Sequence, residues 1–297
     1  MGTRKGLNKS MVPFRKRTLR RRKARTLPRV LVLVRHGESE QNKIIRLAKG
    51  GDFSSFTRAY RSTHSSKLRL TPRGEWQAQV TGAWIRETLP YRLHAHYHSP
   101  YIRAMQTAGL LALPNARWRE RTWLRERDWG EIDALTLEER DRIFPGLADQ
   151  KRRDGVYWTP PGGESKIRQL ERSSLVLDTL ARQHSGQDVI LVSHGDTMAT
   201  FLKLLGQLTD AEWAAWHDDP GDNAHLDNCQ VVVFSQVNPE DPRDLRDRYE
   251  WAGWACPWDP ARATLDWRPI PRKRYGLSNE ELLALTVSAP RFLPQEE

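Results

Sequence analysis

Two histidines in this 297-residue chain each close an apolar run and precede a glycine. They are His36 in VLVLVRHGESEQN (Val30–Asn42) and His194 in DVILVSHGD (Asp188–Asp196). Arg35 stands directly before the first. A third exit, at HAHYHS, delivers Ser99, with Arg103 one helical turn beyond it. Together these groups suit a phosphoryl group. Two guanidinium forks can hold its oxygens bidentately. A neutral imidazole nitrogen can attack phosphorus and carry it as a transient adduct. The other imidazole can donate to the phosphoryl oxygens and, if charged, stabilise the transition state. Gly37 and Gly195 follow the histidines, where the backbone must turn and approach the ligand closely.

Such groups converge only if the elements behind them bring them to one edge. VLVLV and VILV read as buried strands, because they are short, continuous and apolar. TPRGEWQAQVTGAWIRETL predicts a helix capped by Thr71 with Pro72 in its first turn. PYIRAMQTAGLLAL, ESKIRQLERSSLVLDTLARQ and DTMATFLKLLGQL predict three more, and QVVVFSQV a last strand. Strand and helix alternate, and the strands lack a polar face, which predicts an α/β fold with a central, mostly parallel sheet covered on both sides. In such sheets ligands gather beyond the carboxyl ends of the strands, where Arg35, His36, Ser99 and His194 fall.

Composition sets limits. Residues 1–29 hold twelve of the 48 Lys and Arg and none of the 37 Asp and Glu, so the net charge of +11 belongs to this leader and the rest is near neutral. The leader is expected to be a disordered extension, a weak contact for a polyanion, or the product of a start placed ahead of Met11. Its single serine does not suit a transit peptide. No apolar run is long enough to span a bilayer, and no signal peptide is evident. A cytoplasmic protein is expected. Cys229 and Cys256 lack metal or disulfide spacing, and no cofactor motif appears. His94, His96 and His98 share one strand face but have no partner motif, so no metal is expected. Residues 237–297 are rich in Pro and Trp without a period; Trp251, Trp254, Trp258 and Trp267 are expected to pack that extension on the surface of a domain spanning 30–236. Trp213 and Trp216 either roof the pocket or pack.

The blocks LVRHGESEQN, LTPRGEWQA, SPYIRAMQTA, LRERDWGEI, PGGES and LVSHGD occur in the order found in the histidine phosphatase superfamily, the phosphoglycerate mutase-like family, which residues 30–235 resemble. The resemblance implies a three-layer phosphoglycerate mutase-like sandwich and a metal-independent phosphatase acting on a small-molecule phosphate monoester. It implies His36 as the phosphorylated nucleophile, Arg35 and Arg103 as phosphate-binding arginines, and His194 as the second pocket histidine. Glu126 resembles the proton donor to the leaving group, and Asn42 a polar contact to phosphate. Glu164 of PGGES is expected to be structural.

Two alternatives stand. The family also contains mutases, which carry Tyr where this chain has Trp129 and a longer basic cap; KRRDG (151–155) keeps that reading open. The chain could instead be a non-catalytic scaffold whose basic arm meets nucleic acid. Substrate identity is expected to reside in the segments around 50–68, 132–160 and 207–228.

Overall fold

The computed structural model describes residues 26–213, 226–271 and 276–292. Its centre is a seven-stranded sheet in the order β3-β2-β4-β1-β5-β6-β7. The strands are β1 (Val30–Arg35), β2 (Leu93–His98), β3 (Trp118–Glu120), β4 (Asp188–Ser193), β5 (Val231–Ser235), β6 (Trp251–Ala255) and β7 (Asp266–Pro269). β1 to β4 pair in parallel; β5, β6 and β7 add on as antiparallel neighbours. The fold is therefore α/β with a mixed, mostly parallel sheet.

Alternation along the buried strands splits the core in two. Leu31 and Leu33 of β1, Val189 and Leu191 of β4, and Val232 and Phe234 of β5 face one side. There they meet Val176, Leu177 and Leu180 of α7 (Lys166–Gln183) and Met198, Phe201 and Leu202 of α8 (Gly195–Leu205). Val30, Val32, Val34, Ile190, Val192, Val231 and Val233 face the other side, against Ile85 of α3 (Pro72–Thr88) and Ala104 and Ala108 of α4 (Ile102–Leu110). Each such aliphatic side chain contributes about 1.5–3 kcal/mol on burial, so the central strands β1 and β4 are firmly held supports from which to project a side chain.

Helix starts follow their caps. Thr71 accepts from Gly74 N ahead of Pro72. Ser39 and Asn42 form a reciprocal capping box at the start of α1 (Glu40–Lys49). The basic leader does not end at residue 29 in space: Arg29 Nε and its terminal nitrogen grip the buried Asp188 at 2.8 and 2.5 Å, and Thr26 bonds Ser185. The remainder of the leader, residues 1–25, lies outside the described residues.

The extension after 237 differs from the sequence expectation. It extends the sheet: QVVVFSQV is not the last strand, because β6 and β7 follow. Gly253 permits this, since a Cβ built there would lie 2.9 Å from the Trp267 ring. Trp254 and Trp267 pack against opposite faces of the core. Residues 276–292, including a helix over Asn279–Thr286, are wholly exposed.

Candidate active site

β1 leaves the sheet with Arg35 and His36, β4 with His194, and β2 with Ser99; Arg103 sits in the first turn of α4. Arg35, His36 and Arg103 line a cleft of about 1000 Å³, while His194 and Ser99 are buried outside its lining, His194 packed against His36. Glu126 and Asn42 line the same cleft.

His36 is buried, and its Nδ1 lies 2.7 Å from the Gly37 carbonyl. A carbonyl oxygen only accepts, so Nδ1 carries the proton and Nε2 keeps its lone pair. Nε2 accepts from Arg103 Nε at 3.1 Å. Burial, reinforced by the Arg103 and Arg35 charges, holds the His36 pKa well below its ordinary value, so the ring is neutral at pH 7. Its backbone carbonyl accepts from Cys229 N and from Asn228 Nδ2 at 3.2 and 3.1 Å.

His194 packs edge-on to His36 with ring centroids 5.0 Å apart. Its Nε2 and the Ser99 hydroxyl are 2.7 Å apart, while its buried Nδ1 has no hydrogen-bond partner among the described residues. Desolvation, then the Arg103 charge, keeps this ring neutral too. Arg103 Nη1 donates to the Ser65 carbonyl at 2.7 Å, and its guanidinium lies over the Tyr101 ring. Arg35 donates through Nη1 to the Leu226 carbonyl, leaving a buried Nε unpartnered among the described residues. Both guanidinia keep donors in reserve for an anion.

Glu126 is the electrostatic outlier. Burial, then the nearby Asp196 charge, lifts its carboxyl to about 7. Oε1 accepts from Arg127 N at 2.9 Å and from Thr197 N, in the first turn of α8, at 3.3 Å. A helix N-terminus favours the ionised form, as do the Arg103 and Arg35 charges, but desolvation outweighs them. A carboxyl poised near neutral pH can give up a proton and take it back.

Asn42 spends its Oδ1 on the Ser39 cap and on Asn228 Nδ2, at 3.1 Å to each backbone or amide donor. Only its Nδ2 remains for the cleft. Glu164 is clamped by Arg172 at 2.8 and 3.0 Å and by Arg125 at 3.1 Å; it ties the loop before α7 to the scaffold. Trp213 is buried between Lys166 and Lys203, away from the cleft lining, so it packs rather than roofs; Trp216 lies outside the described residues. His96 and His98 meet Trp118 edge-on, and His94 Nδ1 accepts from Asp188 N. Among the described residues no cluster of His, Cys, Asp or Glu is arranged for a metal, and no helix is long and apolar enough to cross a membrane.

The Ser99 hydroxyl, expected at a strand exit, orients His194. Two further residues carried no sequence signal: Thr197 seats Glu126, and Asn228 braces His36 and Asn42. Their partners are remote in sequence and leave no spacing signal. Gly37 was expected to serve ligand approach. Instead, a Cβ built on it would lie 2.3 Å from the Gly74 carbonyl oxygen, so it lets the loop pass against the start of α3.

The sequence profile of the histidine phosphatase superfamily (branch 1) matches residues 31–235. The 2,3-bisphosphoglycerate-dependent phosphoglycerate mutase of Methylobacterium radiotolerans is 29% identical over 195 residues, covering 63% of this chain and 83% of that protein. The Arabidopsis thaliana phosphoglycerate mutase-like protein AT74 is 30% identical over 198 residues, 59% of this chain and 57% of its own. Human 6-phosphofructo-2-kinase/fructose-2,6-bisphosphatase 3 is 29% identical over 167 residues, which span 56% of this chain and only 28% of that protein. In fold, the chain is similar to the alpha-ribazole phosphatase of Shigella flexneri (16% identity, TM-score 0.56, covering 84% of this chain and 100% of that one). It is also similar to mycobacterial hydrolase 1 (24% identity, TM-score 0.55, covering 80% and 97%).

Proposed function

The chain belongs to the histidine phosphatase superfamily, and from that premise we propose that it hydrolyses a phosphate monoester through a phosphohistidine on His36, with Glu126 as general acid. The observation that carries this reading is that His36 and the buried carboxyl of Glu126 line one cleft in complementary protonation states. His36 Nε2 is unprotonated, and Glu126 sits at about 7. A nucleophile with a free lone pair and an acid with a proton to give are the two parts that the first step consumes.

The phosphate binds on the spare donors of Arg35 and Arg103, with Asn42 Nδ2 and His194 Nδ1 completing the shell. The anion draws Arg103 Nε away from His36 Nε2, which attacks phosphorus. The ester P–O bond breaks as the Glu126 proton passes to the leaving oxygen. Water then attacks the phosphohistidine, Glu126 takes its proton, and the N–P bond breaks to release phosphate and restore neutral His36. The two guanidinia and the His194 N–H face charge that spreads over the phosphoryl oxygens.

A mutase reading is supported by the Methylobacterium relative. Against it, Lys151, Arg152 and Arg153 of KRRDG do not line the cleft. Arg153 is paired with Asp154, Arg152 with Asp149, and Lys151 lies by Trp158. The basic segment on which the mutase reading leans is thus turned away from the cleft, which favours hydrolysis. The test is a phosphate-release assay across monoesters beside an isomerisation assay with 3-phosphoglycerate and 2,3-bisphosphoglycerate. Rapid isomerisation with little free phosphate would overturn the phosphatase reading.

A further inference from the structure

The cleft has two linings. The strand exits supply Arg35, His36, Arg103 and Glu126. A second wall comes from α1, the segment after it, and α5 (Leu137–Ile143). On that wall Arg140 is unusual. Its guanidinium makes no hydrogen bond or ion pair among the described residues, and its Nε is buried without a partner. Burial lowers its pKa, the sign of a desolvated charge. Leaving such a donor unsatisfied is costly, and each case calls for an explanation.

Its surroundings supply none. Asp133 acts on it electrostatically, but Asp133 Oδ1 already accepts from Gln41 Nε2 at 2.9 Å. Arg61 beside it is neutralised by Glu139 at 2.8 Å, so Arg140 is not needed there. Asp133 and Tyr60 each interact electrostatically with both Arg103 and Arg140. Arg140 lines the same cleft as Arg35, His36 and Arg103, and the cleft's volume of about 1000 Å³ has room for a single small ligand that meets both walls. The same wall presents Ile45, Phe53, Phe56, Leu135 and Leu137, of which Ile45, Phe53 and Leu137 are exposed.

We propose that Arg140 anchors a second anion-binding subsite. The substrate is then a phosphate monoester whose leaving alcohol carries an apolar or ring-bearing body and, beyond it, a carboxylate or second phosphate. This rests on the phosphate-monoester reading above. The apolar wall takes the body, and the Arg140 fork takes the far anion by charge-assisted hydrogen bonds.

The experiment uses matched probes on the full chain. Binding of benzylphosphonate is compared with that of its carboxy- and phosphono-substituted forms, and turnover of phenyl phosphate with that of its carboxy- and phospho-substituted forms. A free metabolite type is added as adenosine 5′-monophosphate against adenosine 3′,5′-bisphosphate. The expected result is a preference for the second-anion member of a pair of about tenfold or more. Arg140→Gln brings that ratio toward one, and Arg140→Lys retains part of it. Whether the carboxylate or the phosphate series shows the larger ratio identifies the anion. Equal binding of both members by the wild-type protein, or a ratio unmoved by Arg140→Gln, overturns the subsite. A ratio preserved in binding with no phosphate released from any probe overturns the phosphatase reading and leaves the subsite standing.

Discussion

The indole Nε1 of Trp258 donates to the backbone carbonyl of Asn228 at 2.6 Å. Asn228 in turn donates to the His36 carbonyl and to Asn42 Oδ1, each at 3.1 Å. Trp258 lies outside the segment that matches the family, yet it steadies the loop behind the nucleophile. Arg262 adds a second tie to this loop through Asp227. Trp258→Phe keeps an aromatic ring, though a smaller one, and deletes the donor. It is expected to cost about 1 kcal/mol in urea unfolding and to lower kcat more than it raises KM. Unchanged kcat at unchanged stability would show that the extension does not position the site.

Replacing His36 removes the atom that attacks phosphorus. His36→Ala is expected to lower phosphate release by roughly a thousandfold or more while leaving the circular dichroism spectrum intact. Rapid quenching of wild-type enzyme with a labelled monoester should trap an acid-labile, base-stable label that the variant lacks. Residual turnover within about tenfold of wild type would remove the nucleophile from its role.

Glu126 makes two pH predictions of definite sign. As general acid it must be protonated in the free enzyme, so kcat/KM should fall as pH rises through about 7. Glu126→Gln should abolish that limb and slow alkyl phosphates by about 10²–10⁴-fold, with a much smaller loss for p-nitrophenyl phosphate, whose leaving group needs no proton. Stability moves the same way. The folded pKa is raised, so the carboxyl's contribution is complete below its unfolded value of 4.5 and is lost as pH rises to about 7. Above that, burying the charge costs on the order of 3 kcal/mol. His36 and His194 have lowered pKa values, so their contribution is present above 6.5 and lost toward acid. The difference between wild type and Glu126→Gln isolates Glu126: the variant should be the more stable at pH 8 and no more stable near pH 4.5. An equal difference at both would contradict the buried, raised carboxyl.

How much of this was legible differs from part to part. VLVLV and VILV announce buried strands because every position is apolar, and their exits follow at once. Thr71 and Pro72 mark α3 by local chemistry alone. β6 was not legible. WAGWA has no β-branched residue, and what makes it a strand is Gly253 lying under Trp267, a contact made only after the sheet has formed. At the site, side chains next to a strand end could be read, whereas those recruited across the chain could not. Thr197 reaches Glu126, and Asn228 reaches His36 and Asn42, over long separations. Charge alone also misleads. KRRDG keeps a mutase reading open in the sequence, but its basic side chains lie outside the cleft lining, while Arg140 inside it sits in an ordinary charged helix.

The glycines after the two histidines look equivalent in sequence, yet the structure separates them. A Cβ on Gly37 would meet the Gly74 carbonyl oxygen at 2.3 Å, and one on Gly74 the Glu38 carbonyl oxygen at 2.0 Å. Both obstacles are backbone and neither can swing aside. Gly37→Ala and Gly74→Ala should each destabilise the fold by about 3 kcal/mol, read as a lowered melting temperature. A Cβ on Gly195 would lie 3.5 Å from Arg35 Nε, an ordinary contact, and this glycine begins a helix, where alanine is the better former. Gly195→Ala should therefore keep or raise the melting temperature. Its penalty should appear in KM, because the added methyl group covers the one Arg35 nitrogen that is buried without a partner. If Gly195→Ala instead lowered stability as much as Gly37→Ala, the two glycines would share one packing role and Arg35 Nε would not be the donor held for phosphate.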